Sequence, residues 1–235
     1  MKQLLHRWFS PRLELGLRQR EHLARWKALP EANRSASYAH SRFVVVDVET
    51  TGLNLVTDTL ISIAAVAVVN SRIALGDSFS VVLKQRVSSA KANILLHGIS
   101  DSVQRAGVEP QAALLAFLAY LGKDPLVAFH VTFDETMIRR AMRQYLGLSF
   151  KHPWLDLAYV MPALNPALMH SHRVLDDWTR HFSVPNDDRH NAVADAFATA
   201  QLLLLAMHQS QFKHQPSYAG LRDLERMFRH DTGKA

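Results

Sequence analysis

The stretch VVVDVETTGL, residues 44–53, begins as a buried β-branched strand and then places two carboxylates, Asp47 and Glu49, one residue apart. Residues two apart on a strand point to the same face, so these side chains present their oxygens together. Two like charges that close raise each other's pKa unless a cation neutralises them, and magnesium or manganese takes oxygen ligands of this kind. The D-x-E spacing alone is weak, because average composition produces it about once in a chain of this length. Alone, it reads better as a strand-end salt bridge. The Thr50-Thr51-Gly52 that follows is small enough to let a backbone approach another molecule closely.

Working outward, RFVVVDVE, DTLISIAAVAVVN and RIALGDSFSVVLK are three β-branched segments separated by turn-forming residues, which predicts an antiparallel meander. A helix over 109–121 leads to the short strand PLVAFH, and further helices are expected at 134–146, 173–182, 191–209 and 217–229. Strands first, then alternating strand and helix, predict an α/β mixed sheet with helices on both faces. Ahead of the first strand, Ser10 as N-cap, Pro11 in the first turn and Pro30 beyond the last apolar residue predict a helix over 11–28. The expected organisation is a basic helical arm and linker over 1–41, a domain over 42–209 and a helical tail over 210–235.

The 48% apolar and 20% charged content is that of an ordinary soluble domain. There is no cysteine, which excludes disulfides, thiolate zinc sites and cysteine nucleophiles and suits a reducing cytoplasm. The longest apolar run, ISIAAVAVV, is too short to span a bilayer, so no membrane contact is expected. His6 and Arg7 interrupt the apolar start, which fails as a signal peptide; the glutamates at 14, 21 and 31 count against a transit peptide. The net charge of +6 lies wholly in residues 1–42, with nine Lys/Arg against three acids, while the remainder holds 18 of each sign. That segment is either a solvated helical face or a contact for nucleic acid or an acidic partner. Its apolar stripe, Leu13, Leu17, Leu23 and Trp26, either docks a protein partner or folds back on the domain.

Two further segments change the reading of the acid pair. AFHVTFDETMI places Asp134 just after a short strand, near a helix start, where a carboxylate is also favoured by the helix dipole. DDRHNAVADAFATAQLLLL places His190 and Asp195 at the start of an apolar helix. Five residues on a regular helix turn about 140° past the starting direction. His190 must therefore lie at or before the helix start to approach what Asp195 faces.

Three such motifs in this order resemble the DEDD superfamily of 3′→5′ exonucleases, in its DnaQ-like branch with a histidine in the third motif. DVETTGL matches the first motif, VAFHVTFD the second and HNAVAD the third, while LLHGIS resembles an HGI segment between the first two; the resemblance covers about residues 42–208. It implies a ribonuclease H-like fold with Asp47, Glu49, Asp134 and Asp195 around two Mg2+ or Mn2+ ions and His190 as general base. By the same resemblance, Thr50, Thr51 and Gly52 line the terminal nucleotide of a single-stranded 3′ end, Leu53 wedges against its base and His97 contacts sugar or phosphate. Asp156 matches a commonly acidic position and reads as structural; His170 and His172 read as surface residues. One departure stands out: Phe129 and His130 occupy places that usually hold His-Asn. DNA and RNA remain open as substrates, and a non-catalytic nucleic-acid or polymerase-binding module is the rival class.

Overall fold

A computed structural model describes residues 15–186, 188–211 and 215–233. Its centre is a five-stranded sheet in the order β3-β2-β1-β4-β5. The apolar meander forms β1 (Arg42–Thr50), β2 (Leu60–Val69) and β3 (Arg72–Val82), all antiparallel; β4 (Leu126–Ala128) and β5 (Trp154–Asp156) then add in parallel. The helices are α1 (Leu17–Ala28), α2 (Lys91–His97), α3 (Asp101–Ala106), α4 (Pro110–Leu121), α5 (Val131–Leu146), α6 (Leu157–Leu164), α7 (Leu175–His181), α8 (Ala192–Ser210) and α9 (Tyr218–Asp231).

Alternation along β1 decides the layers. Val44, Val46 and Val48 face one core with residues of α1, α4 and α5, including Trp26, Phe117, Met137 and Ile138. Phe43 and Val45 face the other with α6, α7, α8 and α9, around Trp178, Leu203 and Leu221. A buried strand with both faces covered needs apolar residues throughout, which is why β2 reads as a continuous run with nine of its ten residues buried. Asp47 and Glu49 continue the face of Phe43 and Val45 toward the α8 layer, opposite Ala64 and Ser62 of β2.

The segments expected to flank the domain pack onto it. Leu23 and Trp26 of α1 are buried; the Trp26 indole donates to the Gly122 carbonyl at 2.7 Å and Lys123 lies 4.0 Å from its ring. Leu17, by contrast, is exposed, and Ser10, Pro11 and Leu13 lie outside the described residues. On the opposite layer α9 buries Tyr218, Leu221 and Leu224, with the Tyr218 hydroxyl donating to the Trp154 carbonyl at 3.0 Å. Residues 34–38 and 215–219 meet through an isolated Ser37–Ser217 bridge and a hydrogen bond from the Tyr38 amide to the Pro216 carbonyl at 2.9 Å.

Candidate active site

β1, β4 and β5 run parallel, so their C-terminal ends lie along one edge of the sheet, where α/β folds open their ligand crevices. α5 starts just beyond β4, and α8 brings its N-terminus to the same edge from the other layer. Asp134 lies in the first turn of α5 and Asp195 in the first turn of α8, both buried. The acids thus converge on the end of β1 from both sides of the sheet, at helix ends whose unpaired amides favour anions.

Their mutual effect is large. Burial, followed by the charges of Asp134, Asp195 and Glu49, pushes the Asp47 carboxyl well above the usual range. Burial and Asp195 push Glu49 up to about 8, opposed by Arg189 and by the Ala192 amide at the head of α8. Asp134 is also raised, by burial first, with Asp156 and Glu49 adding to it against backbone hydrogen bonds of its own amide and of Val48. Such a cluster of oxygen donors suits a hard divalent cation, which would relieve the repulsion. As the side chains stand, no three His, Asp or Glu residues among the described ones form a ready chelate. Asp195 is engaged elsewhere: Oδ1 accepts from Arg189 and from Asn186 at 2.9 Å, and Oδ2 accepts from the His190 amide at 3.1 Å. Arg189 also pairs with Asp176 of α7.

His190 lies two residues before α8, exposed and at φ 62, while Asn191 caps the helix by accepting from the Val193 amide at 3.0 Å. The helix start therefore leaves His190 outside the coil and only its backbone on Asp195.

The loop after β1 is built inward. Thr50 donates to the Gly52 carbonyl at 2.7 Å, and Thr51 donates to Asp58 at 2.9 Å and accepts from the Thr59 amide at 2.9 Å. The close approach that requires Gly52 is to Asp58: a Cβ at 52 would stand 2.5 Å from Asp58 Oδ2. Arg140 of α5 donates to the carbonyls of Leu55, Val56 and Asp58 at 2.7, 2.7 and 2.8 Å. Asn93 of α2 donates to the Thr51 carbonyl. The result leaves Leu53 84% exposed in the loop, with Val56, three residues on, 79% exposed. His97 is buried: its Nδ1 accepts the Ile99 amide at 3.0 Å, its Nε2 lies 3.4 Å from Ser89 Oγ, and burial lowers its pKa.

The sequence pattern assigns no role to Arg189, Asn93, Asp58 or Arg140. Only Arg189 carried a usable signal, its place next to His190. Phe129 packs partly buried against the second core, and His130 donates from Nε2 to the Arg173 carbonyl at 3.0 Å.

Residues 44–203 match the family described as Exonuclease (RNase_T). Among curated relatives, the PolC-type DNA polymerase III of Halalkalibacterium halodurans is 35% identical over 164 residues, 69% of this chain but 11% of that protein. The PolC-type enzyme of Bacillus subtilis is 32% identical over 163 residues, again 69% of this chain and 11% of its own. The chain thus spans about a tenth of the length of these relatives. Among solved structures, Escherichia coli Exonuclease I with a dT13 oligonucleotide superposes with a TM-score of 0.61 at 21% identity, covering 74% of this chain and 42% of that one. Exonuclease X with 5′ overhanging duplex DNA gives 0.61 at 17% identity, covering 78% and 99%. With the sheet order and the converging acids, the family match places this chain among the exonucleases, in the DnaQ-like 3′→5′ branch, on a ribonuclease H-like fold.

Proposed function

We propose that the chain is a metal-dependent 3′→5′ exonuclease that hydrolyses nucleotides from single-stranded DNA ends. The observation that carries this reading is the convergence at the sheet edge of Asp47 and Glu49, on one face at the end of β1, with the buried Asp134 and Asp195 from the first turns of α5 and α8. The printed names of relatives and neighbours, a DNA polymerase and nucleases crystallised with DNA, support DNA over RNA.

The four carboxylates would hold two Mg2+ or Mn2+ ions, which supply activation of the attacking water and charge stabilisation of the leaving oxygen. For Asp195 to ligate an ion, it must exchange Arg189 for it. His190, exposed at the mouth, takes the proton from the attacking water, and its backbone tie to Asp195 keeps it beside the cluster. Leu53 wedges against the terminal base, while Thr50, Thr51 and Gly52 shape the loop that presents it. His97 acts from behind by fixing the turn after α2. Arg140 and Asn93 hold the same loop from α5 and α2, so wedge and acid share one frame.

The test is release of mononucleotides from matched 5′-labelled DNA and RNA oligomers with Mg2+ or Mn2+. The reading expects metal-dependent shortening from the 3′ end, faster on DNA and absent in Asp195→Asn. Cleavage that persists in a chelator, or in that variant, overturns it.

A further inference from the structure

The last helix lies beyond the residues that match the family, yet its charged side chains hold Asp156, the carboxylate that meets the start of the helix carrying Asp134. α5, which carries Asp134, starts at a residue unable to cap it. His130 is left-handed at φ 66 and ψ 56 and makes no side-chain cap, its ring being turned to Arg173. The amides that open α5 are instead met from β5. Asp156 accepts the His130 amide on Oδ1 at 3.0 Å and the Val131 amide on Oδ2 at 3.2 Å, while Oδ1 also takes the Ala158 amide that opens α6, at 3.0 Å.

A carboxylate only 2% exposed, accepting three amides, needs a cation close by. α9 supplies it. Arg229 Nη2 lies 3.2 Å from Asp156 Oδ2, its Nε donates to Glu225 Oε1 at 2.9 Å, and its guanidinium covers the Tyr159 ring at 3.6 Å. Glu225, 1% exposed, accepts the Asp156 amide on Oε2 at 3.2 Å and pairs with Arg222. Arg229 is thus fixed on three sides and Asp156 on four.

We propose that Arg229, Glu225 and Asp156 form a positioning clamp through which α9 sets the entry of α5, and with it the placing of Asp134 and the metal affinity of the acid cluster. The proposal rests on the metal-dependent reading above. Asp134 lies three residues into α5, so a displaced first turn carries its carboxylate along. Remote misplacement of about 1 Å is enough to cost on the order of a hundredfold in rate.

The test uses the full chain and two readouts: Mn2+ binding by calorimetry in the absence of nucleic acid, and Mn2+-dependent release of nucleotide from a dT oligomer. Arg229→Ala is expected to weaken Mn2+ binding on the order of tenfold, in the range of outer-shell metal-site changes, and to lower kcat while KM for the oligomer stays within about twofold. Arg229→Lys, which keeps a charge for Asp156, recovers most of the binding and is the variant to read should Arg229→Ala not fold. Arg226→Ala, on the same helix but paired with Asp223 on the exposed side, leaves both readouts unchanged. An Arg229→Ala protein that melts earlier yet binds Mn2+ like wild type overturns the clamp, as does an Arg226→Ala protein with the same defect. Wild-type protein that binds Mn2+ but cleaves no oligomer overturns the exonuclease reading alone, and the clamp is then judged by calorimetry.

Discussion

Arg189 holds Asp195 from six residues upstream, the cation of an acid cluster that carries four carboxylates. It balances charge in the metal-free protein and occupies Oδ1, an oxygen that an ion would need. Arg189→Ala is therefore expected to tighten Mn2+ binding about fivefold, equivalent to about 1 kcal/mol. The same change should cost about 1–3 kcal/mol of stability in a chelator, because the buried Asp195 loses its half-buried charged partner. Calorimetry with Mn2+ and chemical denaturation with EDTA read the two effects separately.

Asp47→Asn is expected to reverse that balance. Above about pH 8, where the cluster is ionised, removing one charge relieves the repulsion between Asp47 and Asp134, Asp195 and Glu49, so metal-free stability rises by about 0.5–2 kcal/mol. On the metal-dependent reading proposed above, nucleotide release falls at least about a thousandfold, since one of the four proposed ligands is lost. Denaturation and cleavage measured on one preparation check both directions.

The raised carboxyls also fix the sign of the pH response. Glu49 moves from an ordinary 4.5 to about 8 in the folded, metal-free chain, so between those values the native state binds more protons than the unfolded one. This contribution is fully present below about pH 4.5 and is lost as pH rises through about 8. Asp47 and Asp134 shift in the same direction. Thermal midpoints in EDTA should fall between pH 5 and pH 8, whereas with saturating Mn2+ they should rise, because ion binding releases those protons.

Gly52→Ala tests the loop. Its Cβ would lie 2.5 Å from Asp58 Oδ2 and 2.9 Å from its Cγ, displacing the carboxylate that receives the Thr51 hydroxyl and the Asn54 amide. The cost is about 1–3 kcal/mol in stability. If Leu53 meets the terminal base, KM for a short oligomer rises more than kcat falls, which steady-state kinetics on a dT oligomer will show.

Trp26→Ala tests whether α1 belongs to the folding unit. The indole stacks near Phe150 and His152 and bonds Gly122, so its removal should cost about 3–5 kcal/mol. Metal-dependent kcat of the protein that remains folded should be unchanged, because Gly122 and Phe150 lie at the far ends of β4 and β5 from the acids. Removal of residues 1–40 takes Tyr38 as well, with its hydrogen bond to Ser210 at 2.8 Å, and should bring the midpoint below working temperature.

The meander, the helices and the three motifs were legible because their signals are local: alternation in β1, a continuous apolar run in β2, and Pro110 at the first turn of α4. β5, α6 and the short α2 and α3 were not: three residues pair as a strand only once β4 is beside them, and α6 follows directly from β5 with Asp156 as its cap. α5 begins at Val131, three residues ahead of the expected 134, because its opening amides are met by Asp156 across the sheet and not by a cap in its own sequence. Arg140 left no trace in the pattern for a similar reason: its acceptors are backbone carbonyls more than eighty residues away. The Thr-Thr-Gly stretch reads in sequence as room for another molecule, whereas the tight packing of Gly52 on Asp58 within the chain depends on a loop closure that the local pattern does not carry.

The Ser37–Ser217 bridge brings the incoming and outgoing strands of chain side by side. A unit with adjacent entry and exit can be spliced into a host polypeptide as a cassette, because joining its two ends to a host loop adds little closure entropy.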